Sequence, residues 1–142
     1  MSEANKALVR RVLEQGFNEH NIAIFTELYG ECVYHSPAVG ELRGKAYLDF
    51  MASMLKAFPD GRITLEDQFA EADKVVSRWT FVGTHRGEFM GIAATGKRIT
   101  GSGMAISRIL GNQIVEEWEE VDFLGMMRQL GVLTAHMPAV AA

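Results

Sequence analysis

The densest group of reactive side chains in this sequence is Glu116-Glu117-Trp118-Glu119-Glu120, four carboxylates around one tryptophan. On a strand they must divide between two faces, because successive side chains point to opposite sides. A pair turned into a low-dielectric hollow would be desolvated and would repel, raising a pKa toward neutrality. That is what a general acid/base at carbon requires. The plainer reading is a solvated edge with acidic flanks. Two histidines could assist. His35 stands in Val33-Tyr34-His35-Ser36-Pro37, at the start of a segment that could rim a pocket, and His85 ends a β-rich run just before a glycine loop. Either could shuttle a proton near neutral pH, or simply hold a loop. Asp67 falls on the apolar side of an alternating run, where it needs a partner or a proton. Arg78 is the candidate partner, and a structural ion pair is the expected role.

These groups need elements to position them. Leu8, Val12, Leu13 and Phe17 repeat at helical spacing, which predicts a first helix from Ser2 to about Asn18. Asn21 reads as the cap of a short second helix that Gly30 stops. Glu31 to Arg43 reads as irregular, since Pro37 and Gly40 forbid a long element. A third helix is expected from about Gly44 to Phe58, with Tyr47, Met51, Met54, Leu55 and Phe58 inward. Pro59-Asp60-Gly61 ends it with turn chemistry.

After Gly61 the period changes to two. Ile63, Leu65 and Phe69 alternate with Arg62, Thr64, Glu66 and Gln68, a half-buried strand. Lys74 to His85 is a second strand, a glycine-rich loop spans Arg86 to Gly96, and a third strand runs from about Lys97 to Leu110. Gly101 and Gly103 within it suggest a bend or a close approach. Gln113 to Val121 is the last strand, followed by a helical segment from Leu124 and an Ala-rich end from Ala139. Three helices and then at least four strands make an α+β domain, one domain over residues 1–142. There is no strand-helix alternation and no phosphate-binding glycine loop. The expected architecture has N-terminal helices packed on a strongly curved, mixed, mostly antiparallel sheet that leaves a cone-shaped hollow. Trp79, Phe81, Phe89, Met90, Met104 and Trp118 would suit a pocket for an aromatic or fused-ring ligand.

The register of the last hairpin stays open. A three-residue loop at Leu110-Gly111-Asn112 would pair Ala105 with Glu117 and Gly103 with Glu119. A two-residue turn at Gly111-Asn112 would pair Ala105 with Trp118. One residue of slip exchanges the faces.

Composition narrows the function classes. The 142 residues are 48% hydrophobic and 23% charged, as in ordinary globular proteins. A net charge of -4 with scattered Arg and Lys argues against nucleic acid. Cys32 is the sole cysteine, so no intrachain disulfide forms and zinc spacings are absent. No apolar run approaches the ~20 residues that span a bilayer, and no secretory signal opens the chain, so a cytoplasmic location and no membrane partner are expected.

Asn5-Lys6-Ala7-Leu8-Val9-Arg10-Arg11 is similar to the first helix of the SnoaL-like polyketide cyclases, of the nuclear-transport-factor-2-like superfamily. Arg78 to Phe89 and Gly91 to Lys97 resemble that family's strand and loop. Ile114-Val115-Glu116-Glu117-Trp118, Asp122 and Arg128-Gln129-Leu130-Gly131 complete the likeness over nearly the whole chain. The resemblance implies the cone fold, and ring closure by intramolecular aldol condensation without metal or cofactor. It implies an aspartate as acid/base with an asparagine and a histidine nearby. Matched without gaps, the aspartate falls on Glu119, the histidine on Ala105 and the asparagine on Met51. Only the carboxylate keeps its chemistry. The resulting expectation is a cofactor-independent cyclase or isomerase-type enzyme for a small hydrophobic or polycyclic carbonyl compound. Glu119 would be catalytic with His35 or His85, and Met51, Ala105 and Glu117 would line the pocket. The alternatives are a non-catalytic binder of a small apolar molecule, or a dimer with a vestigial pocket. A homodimer is expected in each case, burying the exposed sheet face.

Overall fold

The structure is a computed structural model that describes residues 2–133; His136 and the Ala-rich end from Ala139 lie outside the described residues. The apolar repeat of the N-terminus folds as α1 (Ser2–Arg11) and continues as a π-helical stretch, Val12–Asn18. Such wide turns are rare and concentrate at functional sites. This one ends where the Asn18 side chain grips the backbone of Ile63. Its amide donates to the carbonyl at 2.9 Å, and its oxygen accepts from the N–H at 2.7 Å. Asn21 caps α2 (Ile22–Tyr29) by accepting from Ala23 N–H at 3.2 Å.

The segment expected to be irregular instead holds two short strands, β1 (Val33–Ser36) and β2 (Gly40–Arg43). Each is only four residues long, too short to leave a periodic signal, and β1 gains its place by parallel pairing of Val33 with Glu116, 83 residues away. Helix α3 (Lys45–Ala57) follows. Then come β3 (Arg62–Glu71), β4 (Lys74–Thr84), β5 (Arg98–Leu110), β6 (Gln113–Val121) and α4 (Phe123–Leu130). The sheet order is β2-β1-β6-β5-β4-β3, antiparallel throughout except for β1 beside β6. Four helices therefore pack on a curved, unclosed, mixed sheet, an α+β cone. Among the described residues, no helix is long and apolar enough to cross a membrane.

Two bulges decide which side chains face the cone. In β3 the register shifts between Leu65 and Asp67, so Glu66 is the extra residue. Ile63 and Leu65 stay inward, but beyond the bulge the faces exchange. Phe69, expected inward, is 67% exposed, and Asp67 turns outward to pair with Arg78 at 2.6 Å. In β6 the turn at Gly111-Asn112 has two residues with φ of 57° and 60°, the conformation of a tight hairpin turn. That turn pairs Leu110 with Gln113 and Ile109 with Ile114. Val115 is then extruded, Arg108 pairs with Glu116, and Ala105 pairs with Glu119. The observed register is neither of the two considered from sequence. The bulge offsets the two-residue turn by one position and turns Glu117 and Glu119 to the inner face.

Candidate functional site

The inner wall of the sheet is built in rows. Val75, Ser107 and Glu117 stand opposite one another on β4, β5 and β6; Ser77, Ala105 and Glu119 form the next row, and Trp79, Gly103 and Val121 the third. A Cβ on Gly103 would stand 2.8 Å from Cε2 of the Trp79 ring, so the indole lies flat across a position only glycine can occupy. Helices close the space above these rows with Phe17, Phe25, Tyr29, Tyr47, Met51, Met54, Phe58 and Met126. Together they enclose an apolar cavity of about 100 Å³ whose polar groups cluster at its Glu117–Glu119 end.

Both carboxyls are held by hydroxyls. Glu117 accepts from Ser107 Oγ at 2.5 Å and from Tyr29 OH at 3.0 Å. Glu119 accepts from Tyr34 OH at 2.8 Å. Tyr47 packs between the other two tyrosines, with ring centroids 4.9 Å from Tyr29 and 4.7 Å from Tyr34, so α2, α3 and β1 fix the donors as one aromatic stack. Burial pushes the Glu117 carboxyl up to about 8, and the neighbouring Glu119 carboxylate adds to the rise, against the hydrogen bonds from Ser107 and Tyr29. Glu119 is raised by desolvation too, with Tyr34 and the Trp79 indole N–H opposing. As a residue Glu119 is only half-buried. It borders both the cavity and a groove on the outer face, and its carboxyl is bonded to Tyr34. Burial also raises the Tyr29, Tyr34 and Cys32 groups, which stay protonated donors or inert.

The structure distributes the sequence candidates across several environments. Met51, Trp79, Phe81, Ala105, Glu117 and Glu119 line the cavity. Met104 and Trp118 do not. They alternate with Ala105, Glu117 and Glu119 along their strands and so point outward, 52% and 37% exposed. His35 is outward for the same reason, one position from Tyr34. Its ring stacks on Trp118 at 5.4 Å and its Nε2 lies 2.8 Å from Glu116. It lines an outer groove that Glu119 also borders, while the Glu119 carboxyl is bonded to Tyr34. His85 is fully buried but is not part of the cavity wall. Its Nδ1 accepts from Thr95 N–H at 3.2 Å, and its backbone bonds to Gly96 and Lys97 at 2.8 Å each, so it pins the glycine loop. Phe89 is also fully buried, wedged on Phe58 at 5.2 Å and on Phe123 at 6.1 Å, behind the wall rather than in it. Neither histidine is hydrogen-bonded to the carboxyl pair in this structure: His35 meets Glu116, and His85 meets Thr95.

Sequence reading missed Tyr34, Ser77 and Ser107 as site residues. Ser77 and Ser107 carried a faint signal, since both fall on the apolar phase of their strands. Tyr34 carried none, because its strand was not legible. No group of three or more His, Cys, Asp or Glu among the described residues gathers to hold a metal.

Known proteins share this fold. Residues 7–130 match the family model of the SnoaL-like polyketide cyclases. Aklanonic acid methyl ester cyclase DnrD of Streptomyces peucetius is 32% identical over 99 residues, which span 68% of this chain and 66% of that relative, just under two thirds of its length. Among solved structures, TsrD from Streptomyces laurentii is 31% identical with a TM-score of 0.81, over 92% of this chain and 97% of that one. AclR from Streptomyces galilaeus, a candidate hydroxylase, is 28% identical with a TM-score of 0.83, over 94% and 99%. The fold carries more than one assigned chemistry, but the family is plain: this chain belongs to the SnoaL-like polyketide cyclases.

Proposed function

We propose that the cavity is an acid/base active site in which Glu119 removes a proton from carbon beside a carbonyl of a small apolar compound. The observation that carries this reading is the carboxyl pair with raised pKa values inside an otherwise apolar cavity. At neutral pH such a pair holds a proton, which we assign to the more deeply buried Glu117, leaving Glu119 as the base. The C–H electrons pass to the carbonyl oxygen and give an enolate. In ring closure, the enolate carbon attacks a second carbonyl of the same molecule, and the new alkoxide takes a proton from the carboxyl pair. In isomerisation, the proton returns to a different carbon. Both outcomes are redox-neutral, so the reading needs no cofactor. Exclusion of water strengthens each electrostatic contact in the site.

Turnover of cyclisable or isomerisable ketones, followed across pH, tests this reading. A bell-shaped rate profile that collapses in Glu119→Gln supports it, and an unchanged rate in that variant removes Glu119 from the mechanism. A binder without catalysis is favoured by the resemblance, which implies Ala105 and Met51 where the family carries nitrogen donors. It requires tight ligand binding that survives replacement of both carboxyls, with no turnover.

The same reading includes a homodimer. Phe69, Val76, Ile106 and Trp118 are paired in register across β3, β4, β5 and β6 and form an exposed apolar row on the outer face. Monomeric proteins seldom leave such a stripe open. Sedimentation at micromolar concentration should give a dimer, and Ile106→Glu should give a monomer.

A further inference from the structure

Two serines stand in the same inner wall, and they differ in one respect. Ser107 is 1% exposed and gives its hydroxyl proton to Glu117. Ser77 is 2% exposed, lines the cavity, and its Oγ has no partner among the described residues. A buried hydroxyl without a partner is costly, and in a native protein it calls for an explanation such as a catalytic role or a bound group. Ser77 also occupies a particular place. It shares a row with Ala105 and Glu119, one residue from each of three adjacent strands. Strands lie ~4.8 Å apart, so the Ser77 and Glu119 backbones are roughly 10 Å apart. The short Ala105 methyl leaves the space between their side chains open. A donor at one end of this gap and a carboxylate at the other match the two ends of a carbonyl group and its neighbouring carbon.

The size of the cavity limits what fills the gap. At about 100 Å³ it is of the same order as the ~150 Å³ apolar cavity known to hold one benzene ring, so a single ring fits with modest movement of the walls. It is well below the ~300–1,000 Å³ typical of pockets for drug-sized ligands. Met51 and Met54 in its lining are unbranched and adaptable, so they can shift to admit one saturated ring.

We propose that Ser77 is the oxygen-binding donor of the cavity, and that the site takes a compact ketone of about one ring whose carbonyl oxygen accepts from Ser77 Oγ. Its neighbouring carbon then faces Glu119, an orientation that rests on the acid/base reading above. Ser77 binds the oxygen in the ground state and follows it as negative charge develops, so its contribution grows toward the transition state.

The test reads binding, independently of turnover. The probe is cyclohexanone carrying a ¹³C carbonyl, compared with methylenecyclohexane, which has nearly the same shape and no acceptor. Cyclohexanone should bind the wild-type protein with its carbonyl stretch lowered relative to hydrocarbon solution. Ser77→Ala should abolish that lowering and weaken cyclohexanone about fivefold, with methylenecyclohexane unaffected. Ser77→Thr, which keeps the hydroxyl, should keep the lowered stretch, and so should Glu117→Gln. Ser77→Cys, a weak donor of nearly equal size, carries the comparison if Ser77→Ala does not fold. A lowered stretch that persists in Ser77→Ala overturns the proposal. So does equal weakening of both probes, or failure of cyclohexanone to bind at all. Ser77-dependent binding together with full turnover in Glu119→Gln would overturn the acid/base assignment of Glu119 while leaving Ser77 as the donor.

Discussion

The two faces of β6 carry the same residue type to opposite ends. Glu116 faces outward, where His35 and Arg108 bond to it and hold its carboxyl below the usual range. Glu117, the next residue, faces inward, where burial pushes its carboxyl up to about 8. The outer carboxylate is a structural anion. The inner one is a neutral acid at physiological pH, paired with a second carboxyl one turn of the pleat away. Nothing intrinsic to glutamate distinguishes them. Solvent and partner charges do, and the pleat of one strand delivers both environments within a single peptide unit.

The largest expected effect breaks the inner side of this comparison. Glu119→Gln should lower turnover by about 10²–10⁴-fold, the usual contribution of a positioned acid/base. Steady-state rates with an intact circular-dichroism spectrum check this, and a loss below tenfold would mean that the base lies elsewhere.

Glu117 makes a prediction about stability. Its folded-state pKa, about 8, lies above its ordinary value of 4.5. The folded protein therefore binds the extra proton between those values. The contribution is complete below about 4.5 and is lost as pH rises through about 8, at up to ~1.4 kcal/mol per pH unit. Denaturant midpoints should fall between pH 5 and 8, and Glu117→Gln should flatten that fall. A wild-type stability that climbs over the same range contradicts the assignment.

A steric perturbation sharpens the inner wall further. Gly103→Ala drives a methyl into the Trp79 indole. A destabilisation of about 1–3 kcal/mol is expected, together with a shifted tryptophan emission as the ring tilts into the cavity. The smallest effect belongs to the outer face. The Asp67–Arg78 pair has side chains 47% and 49% exposed, so Asp67→Asn should cost under ~1 kcal/mol and less in high salt. If unfolding titrations rank Asp67→Asn above Gly103→Ala, the contrast between the faces is misdrawn.

The elements were largely legible because periodicity survives in a single chain. The stripe Tyr47, Met51, Met54, Leu55, Phe58 marks α3, and the alternation from Val75 to Phe81 marks β4. The family resemblance placed Glu119, Ala105 and Met51 around one hollow, and the structure puts all three in its wall. The surrounding assignments were harder. His35, Met104 and Trp118 have types suited to a pocket, and one residue of phase turns each to the outside. Phe69 was misplaced because a bulge at Glu66 resets the alternation that sequence reading extends unbroken.

What the sequence determined by itself is therefore the set of local preferences: helices first, strands after, a reversal near Gly111-Asn112 of undecided loop length, and acidic residues crowded on one strand. Which of those acids became buried was decided only in the tertiary structure. The extrusion of Val115 depends on β6 pairing with β5 on one side and β1 on the other. Those hydrogen bonds join residues far apart in the chain. No local window contains the partner that sets the register, so none contains the environment that makes Glu117 and Glu119 different from their neighbours.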